Sequence, residues 1–126
     1  MGNKEIIEKR RHKRFRSIES AYAAFGSEAL KIGQIVDISM GGLAFHYMAD
    51  GDHINGAREL EIYLTHNHGF HMTEVPFNTV SDFVIPNEFP YTTIVMRRRG
   101  VEFGELNETQ VSQLGFLIQN YTEGEI

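Results

Sequence analysis

The chain contains no cysteine, which excludes disulfide staples and thiolate chemistry and fits a reducing compartment, so a cytoplasmic location is expected. It has no apolar run near the ~20 residues that a membrane-spanning helix requires. Charged residues occupy the N-terminus, where a secretory signal would need an apolar stretch, so no signal peptide is expected. No internal repeat, low-complexity tract or Pro/Gly-rich linker divides the sequence, and 126 residues suit one domain with a single core. Catalytic machinery is also missing from view. No nucleophile elbow is present and no carboxylate or histidine set reads as a catalytic metal site, so an enzyme is not expected.

Charge is unevenly distributed. The formal net charge is -5, yet residues 1–16 carry seven basic side chains against two acidic ones, while the rest of the chain holds five basic and fifteen acidic. A basic arm on an acidic body points to a localised anionic partner, or else to a solvated tail. An acidic body disfavours general nucleic-acid binding. The arm lacks apolar periodicity and is expected to be mobile until a ligand orders it.

Beyond the arm, short extended segments follow one another. Ile18 to Phe25, Ala29 to Ile38, Gly42 to Tyr47, Glu59 to Thr65 and Val75 to Ile85 read as strands. Glu59 to Thr65 is the cleanest, with Leu60, Ile62 and Leu64 on one face. In Ala29 to Ile38, the apolar positions Leu30, Ile32, Ile35 and Ile38 are disturbed around Gly33, which suggests a bulge or bend there. Thr92 to Met96 and Gly100 to Phe103 read as a final strand pair joined by Arg97-Arg98-Arg99-Gly100. That basic run is expected to be a solvated turn, the alternative being a second basic approach to a ligand. Asn107 with Gln110 forms a capping-box pattern, and Val111, Leu114, Leu117, Ile118 and Tyr121 then recur at helical spacing, predicting a helix over about 108–121. Six or seven short strands and one helix favour a mainly β antiparallel barrel or sandwich.

Two motifs carry chemistry. Arg10-Arg11-His12-Lys13-Arg14 has R-x-x-x-R spacing, and Asp37-Ile38-Ser39-Met40-Gly41-Gly42 has a D-x-S-x-x-G pattern at a strand end. Each alone is weak, the second being common turn chemistry. Histidines at His66, His68 and His71 could ligate zinc, but Asn67 and Gly69 suit a loop and no fourth ligand is evident, so no metal site is expected.

In this order and spacing the two motifs resemble the PilZ domain family. Lys9 to Phe15 is similar to the family's basic entry into the first strand, and Ile35 to Phe45 to its most recognisable stretch. Gly100-Val101-Glu102-Phe103 followed by a helix is similar to its last strand and terminal helix. The resemblance runs from about Glu8 to Tyr121, loosely over Ala49 to Tyr91. It implies a six-stranded antiparallel, Greek-key-like β-barrel over 17–126, preceded by the arm at 1–16. It also implies a non-catalytic receptor for the bacterial second messenger cyclic di-GMP, with no further cofactor.

The chemistry suits that ligand, which has two phosphates and two guanines. Arginine pairs bidentately with phosphate or with the O6/N7 edge of guanine, and stacks on bases. Arg10 and Arg14 match the motif arginines, and Arg11 is a third candidate. Asp37 can accept from guanine N1–H and N2–H₂, with Ser39 at the same base. Gly41 and Gly42 are expected to permit positive φ and leave room for a base. The resemblance implies one or two ligands per chain, depending on the residue before the first motif arginine; here that residue is Lys9, a long cation that could meet a second ligand's phosphate, which favours two. The resemblance implies action in trans on a partner in motility, exopolysaccharide or biofilm control. A protein-interaction domain that no longer binds nucleotide is the competing reading. Monomer and homodimer are both open, since Phe116 lies off the helix stripe.

Overall fold

The computed structural model describes residues 12–25, 31–49, 58–65, 69–86 and 93–126. Lys9, Arg10, Arg11, His66 and His68, and with them most of the basic arm, lie outside the described residues. The elements are β1 (Phe15–Ser17), β2 (Ala21–Phe25), β3 (Lys31–Ile38), β4 (Gly42–Ala49), β5 (Glu59–Leu64), β6 (His71–Val84), β7 (Val95–Phe103), α1 (Glu108–Asn120) and β8 (Thr122–Glu125).

All pairings are antiparallel. The order β2-β5-β6-β7-β4-β3 closes on itself through the β2–β3 pairing, making the six-stranded barrel. Closure removes the exposed edges that an open sheet this size would present. On the edge away from β4, β3 serves two neighbours: Lys31 to Gln34 pairs with β2, whereas Asp37 and Ile38 pair with β1. β1 in turn carries β8, so the last described strand lies beside the first described one. β8 has no counterpart in the sequence reading.

The core follows the alternation of the strands. Ile35, Ile38, Phe45, Leu60, Ile62, Met72 and Val75 are fully buried. Phe25, Phe45 and Tyr47 form an aromatic cluster, with Phe25 and Phe45 at 4.7 Å between centroids. Gly33 does not carry the expected bulge. It pairs regularly with Ala23, and a Cβ there would meet the Phe45 ring at 2.5 Å. Ile32 consequently faces outward.

The actual bulges lie elsewhere and redirect two acids. Between Ile35 and Asp37 the β3–β4 register slips by one residue at Val36, so Asp37 opposes Ala44. Strict alternation would aim Asp37 inward with Ile35; the bulge turns it to the outer face. Between Thr79 and Ser81 the β6–β7 register slips at Val80, so Asp82 opposes Arg99 and faces inward.

The expected strand pair with an arginine turn is one continuous strand. Arg97, Arg98 and Arg99 pair in register with Tyr47, His46 and Phe45 of β4. They are tolerated there because alternation sends them to different partners. Arg97 and Arg99 both bind Asp82, at 2.6 and 2.7 Å. Arg99 is buried, with its guanidinium 5.4 Å from the Tyr47 ring centroid and 5.9 Å from that of Phe25. Asp82 also accepts from the Tyr47 hydroxyl. Burial pushes the Asp82 carboxyl up, but donors from Tyr47, Arg97 and Arg99 outweigh it and hold it below its ordinary value. Burial, with the bond to Asp82, pushes the Tyr47 hydroxyl up.

α1 begins with the expected capping box: Asn107 Oδ1 accepts from Gln110 N and Gln110 Oε1 accepts from Asn107 N. Its buried face is Gln110, Leu114 and Leu117, with Ile118 and Tyr121 packed beside them and Val111 exposed. Gln110 also donates to the carbonyls of Thr73 and Glu74, where β6 bulges and Glu74 has φ 54°. One side chain thus caps the helix and satisfies the irregular strand beneath it. No described helix is long and apolar enough to cross a membrane.

Candidate functional site

The β3–β4 connection is built by its own serine. Ser39 N donates to the Gly42 carbonyl at 2.8 Å, and Ser39 Oγ accepts from Gly41 N and Gly42 N at 3.1 and 3.2 Å. Phe103 N donates to the Gly41 carbonyl, which ties the turn to β7. Neither Gly41 nor Gly42 has positive φ, contrary to expectation; among the described glycines only Gly124 does. Their small size serves close approach instead. A Cβ on Gly42 would collide with the Val101 carbonyl of β7, and one on Gly41 would meet the His12 ring at 2.5 Å. Gly42 is therefore demanded by strand packing, whereas at Gly41 the exposed His12 side chain could move aside.

This turn borders an open groove of about 760 Å³ on the outer face of β4, β7 and the end of β3. Arg14, Asp37, Ser39, Gly41 and Gly42, all singled out in the sequence, line it together with Arg98. Lys9, Arg10 and Arg11 are outside the described residues, but His12 sits at the groove and the chain enters β1 directly after Arg14. Arg14 is anchored through its backbone: its carbonyl accepts from Ile126 N at 2.9 Å, while its side chain is exposed. β1 then pairs Arg16 opposite Asp37. A second groove of about 570 Å³ lies on the other side, and Arg14, Asp37 and Arg98 border both.

Arg98 is the site residue that the sequence reading misplaced. Its Nη2 donates to Asp37 Oδ2 at 2.7 Å, with 33% of the Arg98 side chain and 11% of the Asp37 side chain exposed. His46 is its register partner across the strand pair, and burial, then the nearby Arg98 charge, push the His46 pKa down. The signal available in the sequence was Asp82, a single acid among the last residues of β6 that could neutralise Arg97 and Arg99 and so allow the run to be a strand.

The groove therefore combines arginine donors, one shielded carboxylate and a tight glycine turn. Such a set can hold an anionic group and a base edge together. Among the described residues, no cluster of three or more His, Asp or Glu is placed to hold a metal ion. His71, part of the weighed histidine set, contacts Glu61 at 2.9 Å instead.

No family model matches the chain, and no curated protein matches it in sequence. Solved structures do match in fold. One is the PilZ domain with c-di-GMP of YcgR from Escherichia coli, at TM-score 0.65 and 13% identity over 90% of this chain and 92% of that one. Another is the K. pneumonia MrkH–c-di-GMP complex, at TM-score 0.67 and 15% identity over 90% of this chain. A further MrkH structure, named as a c-di-GMP-dependent transcription regulatory factor, matches at TM-score 0.62 and 16% identity. The chain spans about half of MrkH, 52% and 51% in the two structures. The barrel with its terminal helix is the fold of a PilZ domain.

Proposed function

We propose that this protein is a non-catalytic receptor for cyclic di-GMP, bound in the groove beside the β3–β4 turn. The observation that carries the reading is the Val36 bulge, which presents Asp37 on the outer face next to Arg14 and above the Ser39–Gly42 turn. Asp37 accepts from guanine N1–H and N2–H₂, while Arg14, with Arg10 and Arg11, supplies phosphate and Hoogsteen-edge contacts. Ser39 acts mainly by holding the turn, since its hydroxyl is engaged there. The fold neighbours whose names include c-di-GMP support the choice of ligand. Binding draws the basic arm, including Lys9, against the barrel and creates a surface that a partner reads in trans.

Isothermal titration calorimetry with cyclic di-GMP, GTP and cyclic di-AMP at one salt concentration tests this. Saturable binding of cyclic di-GMP alone is expected, with the stoichiometry deciding between one ligand and two. Equal responses to all three nucleotides would reduce the site to a nonspecific anion patch. Limited proteolysis tests the relay: cleavage within residues 4–16 should slow when ligand is present, and unchanged cleavage removes the arm from the mechanism.

A further inference from the structure

The groove's carboxylate is already occupied by the protein itself. Asp37 is 8% exposed and its Oδ2 is held at 2.7 Å by Arg98 Nη2. A guanidinium presents planar N–H donors to a carboxylate in the manner of the guanine N1–H and N2–H₂ edge. With only 11% of the Asp37 side chain exposed, the guanidinium and a base edge compete for access to the carboxylate. The pair also stands where the two open grooves meet, since both residues border each of them. We propose that Arg98 is a built-in stand-in for the guanine edge: it holds Asp37 in the free protein and is exchanged for the base when ligand binds. The proposal rests on the cyclic di-GMP reading above and adds to it a residue that sets affinity without belonging to either sequence motif.

Three features make the exchange physically reasonable. The carboxylate is shielded, so leaving it bare would cost its desolvation, and a resident donor removes that cost in the free state. Arg98 is one-third exposed, so its release into the groove needs no repacking of the core. His46 lies opposite Arg98 in the register, and burial together with the Arg98 charge disfavours its protonated form, leaving the ion pair without a competing cation from β4. Gln34, the next residue across on β3, carries no charge. The flanking arginines of β7 cannot substitute, because Arg97 and Arg99 both bind Asp82 on the opposite side.

The test is calorimetric titration of cyclic di-GMP into wild type, Arg98→Met, Asp37→Ala and the double variant, with circular dichroism confirming the fold of each. Methionine keeps the length of the stem and removes the donors. Titrations run at high salt, where the Debye length shortens towards ~3 Å at 1 M, suppress the general loss of a cation near an anionic ligand. Arg98→Met should bind about three- to tenfold more tightly than wild type, the scale of a partly exposed ion pair released from competition. In the Asp37→Ala background the same substitution should not tighten binding. Binding by Arg98→Met but not by wild type would also support the exchange. Wild-type binding with unchanged or weaker binding by Arg98→Met would overturn it while leaving the receptor reading intact. No binding by either protein would overturn both.

Discussion

Asp37 and Arg98 are 61 residues apart in sequence and 2.7 Å apart in space, joined across the outer face of the barrel. Their counterpart inside is Asp82 with Arg99, 17 residues apart and also at 2.7 Å. Two consecutive arginines thus serve opposite faces of one strand, and each acid reaches its arginine because a bulge has shifted it by one position. The outer pair borders the two open grooves, and the inner pair packs beside Phe25 and Tyr47.

Loss of the groove's polar groups should weaken binding without unfolding the barrel. Asp37→Ala and Arg14→Ala should each weaken cyclic di-GMP binding by about tenfold or more, the usual worth of a charge-assisted hydrogen bond. Calorimetric affinities, with thermal melting as the control for folding, check both. Wild-type affinity in both variants would move the site elsewhere.

The inner pair should govern stability instead. Asp82→Ala leaves Arg99 buried without its carboxylate and should cost about 3 kcal/mol, the low end for breaking a buried pair. The urea midpoint should fall accordingly.

Acid should act through the same residue. The folded carboxyl of Asp82 lies below its ordinary value of 3.8, so its stabilisation is present above that value and is lost as the pH falls through the lower folded pKa. Urea midpoints measured downward from pH 5 should decline more steeply for wild type than for Asp82→Asn, which starts less stable but lacks this titration.

Gly42 should prove structural. Gly42→Ala drives a methyl into the Val101 carbonyl between β4 and β7, and overpacking of that kind costs about 1–3 kcal/mol. Chemical denaturation reads the loss. A fully stable variant with impaired ligand binding would return Gly42 to the role of making room for a base.

Gln110 should be worth more than an ordinary helix cap. Gln110→Ala removes the reciprocal bond to Asn107 and uncovers the Thr73 and Glu74 carbonyls. A loss of about 1–3 kcal/mol is expected, scaled to a buried polar group left unsatisfied. Asn107→Ala, which removes the cap alone, should cost about 1 kcal/mol. Thermal melting of the two variants side by side separates these contributions.

Much of the architecture was legible because it depends on neighbours in sequence. The alternation of Leu60, Ile62 and Leu64 is the buried face of β5, and the Asn107–Gln110 capping box starts the helix where the pattern placed it. The Ser39–Gly42 turn is equally local. Gly33 misled because a lone glycine in a strand pattern suggests a bulge, whereas here it admits the ring of Phe45 from the next strand.

What the amino-acid sequence determined by itself was most of the strands, the capped helix, the basic run at the N-terminus and the two motifs, whose described residues Arg14, Asp37, Ser39, Gly41 and Gly42 line one groove. Those features follow from propensity, periodicity and turn chemistry acting over a few residues. Which way Asp37 and Asp82 face was decided only by the tertiary structure, because a bulge exists only relative to the strand it is paired with. The same holds for the arginines of β7. Three adjacent positive charges read as a solvated turn until the barrel closes and sets Asp82 on one side of the strand and Asp37 on the other.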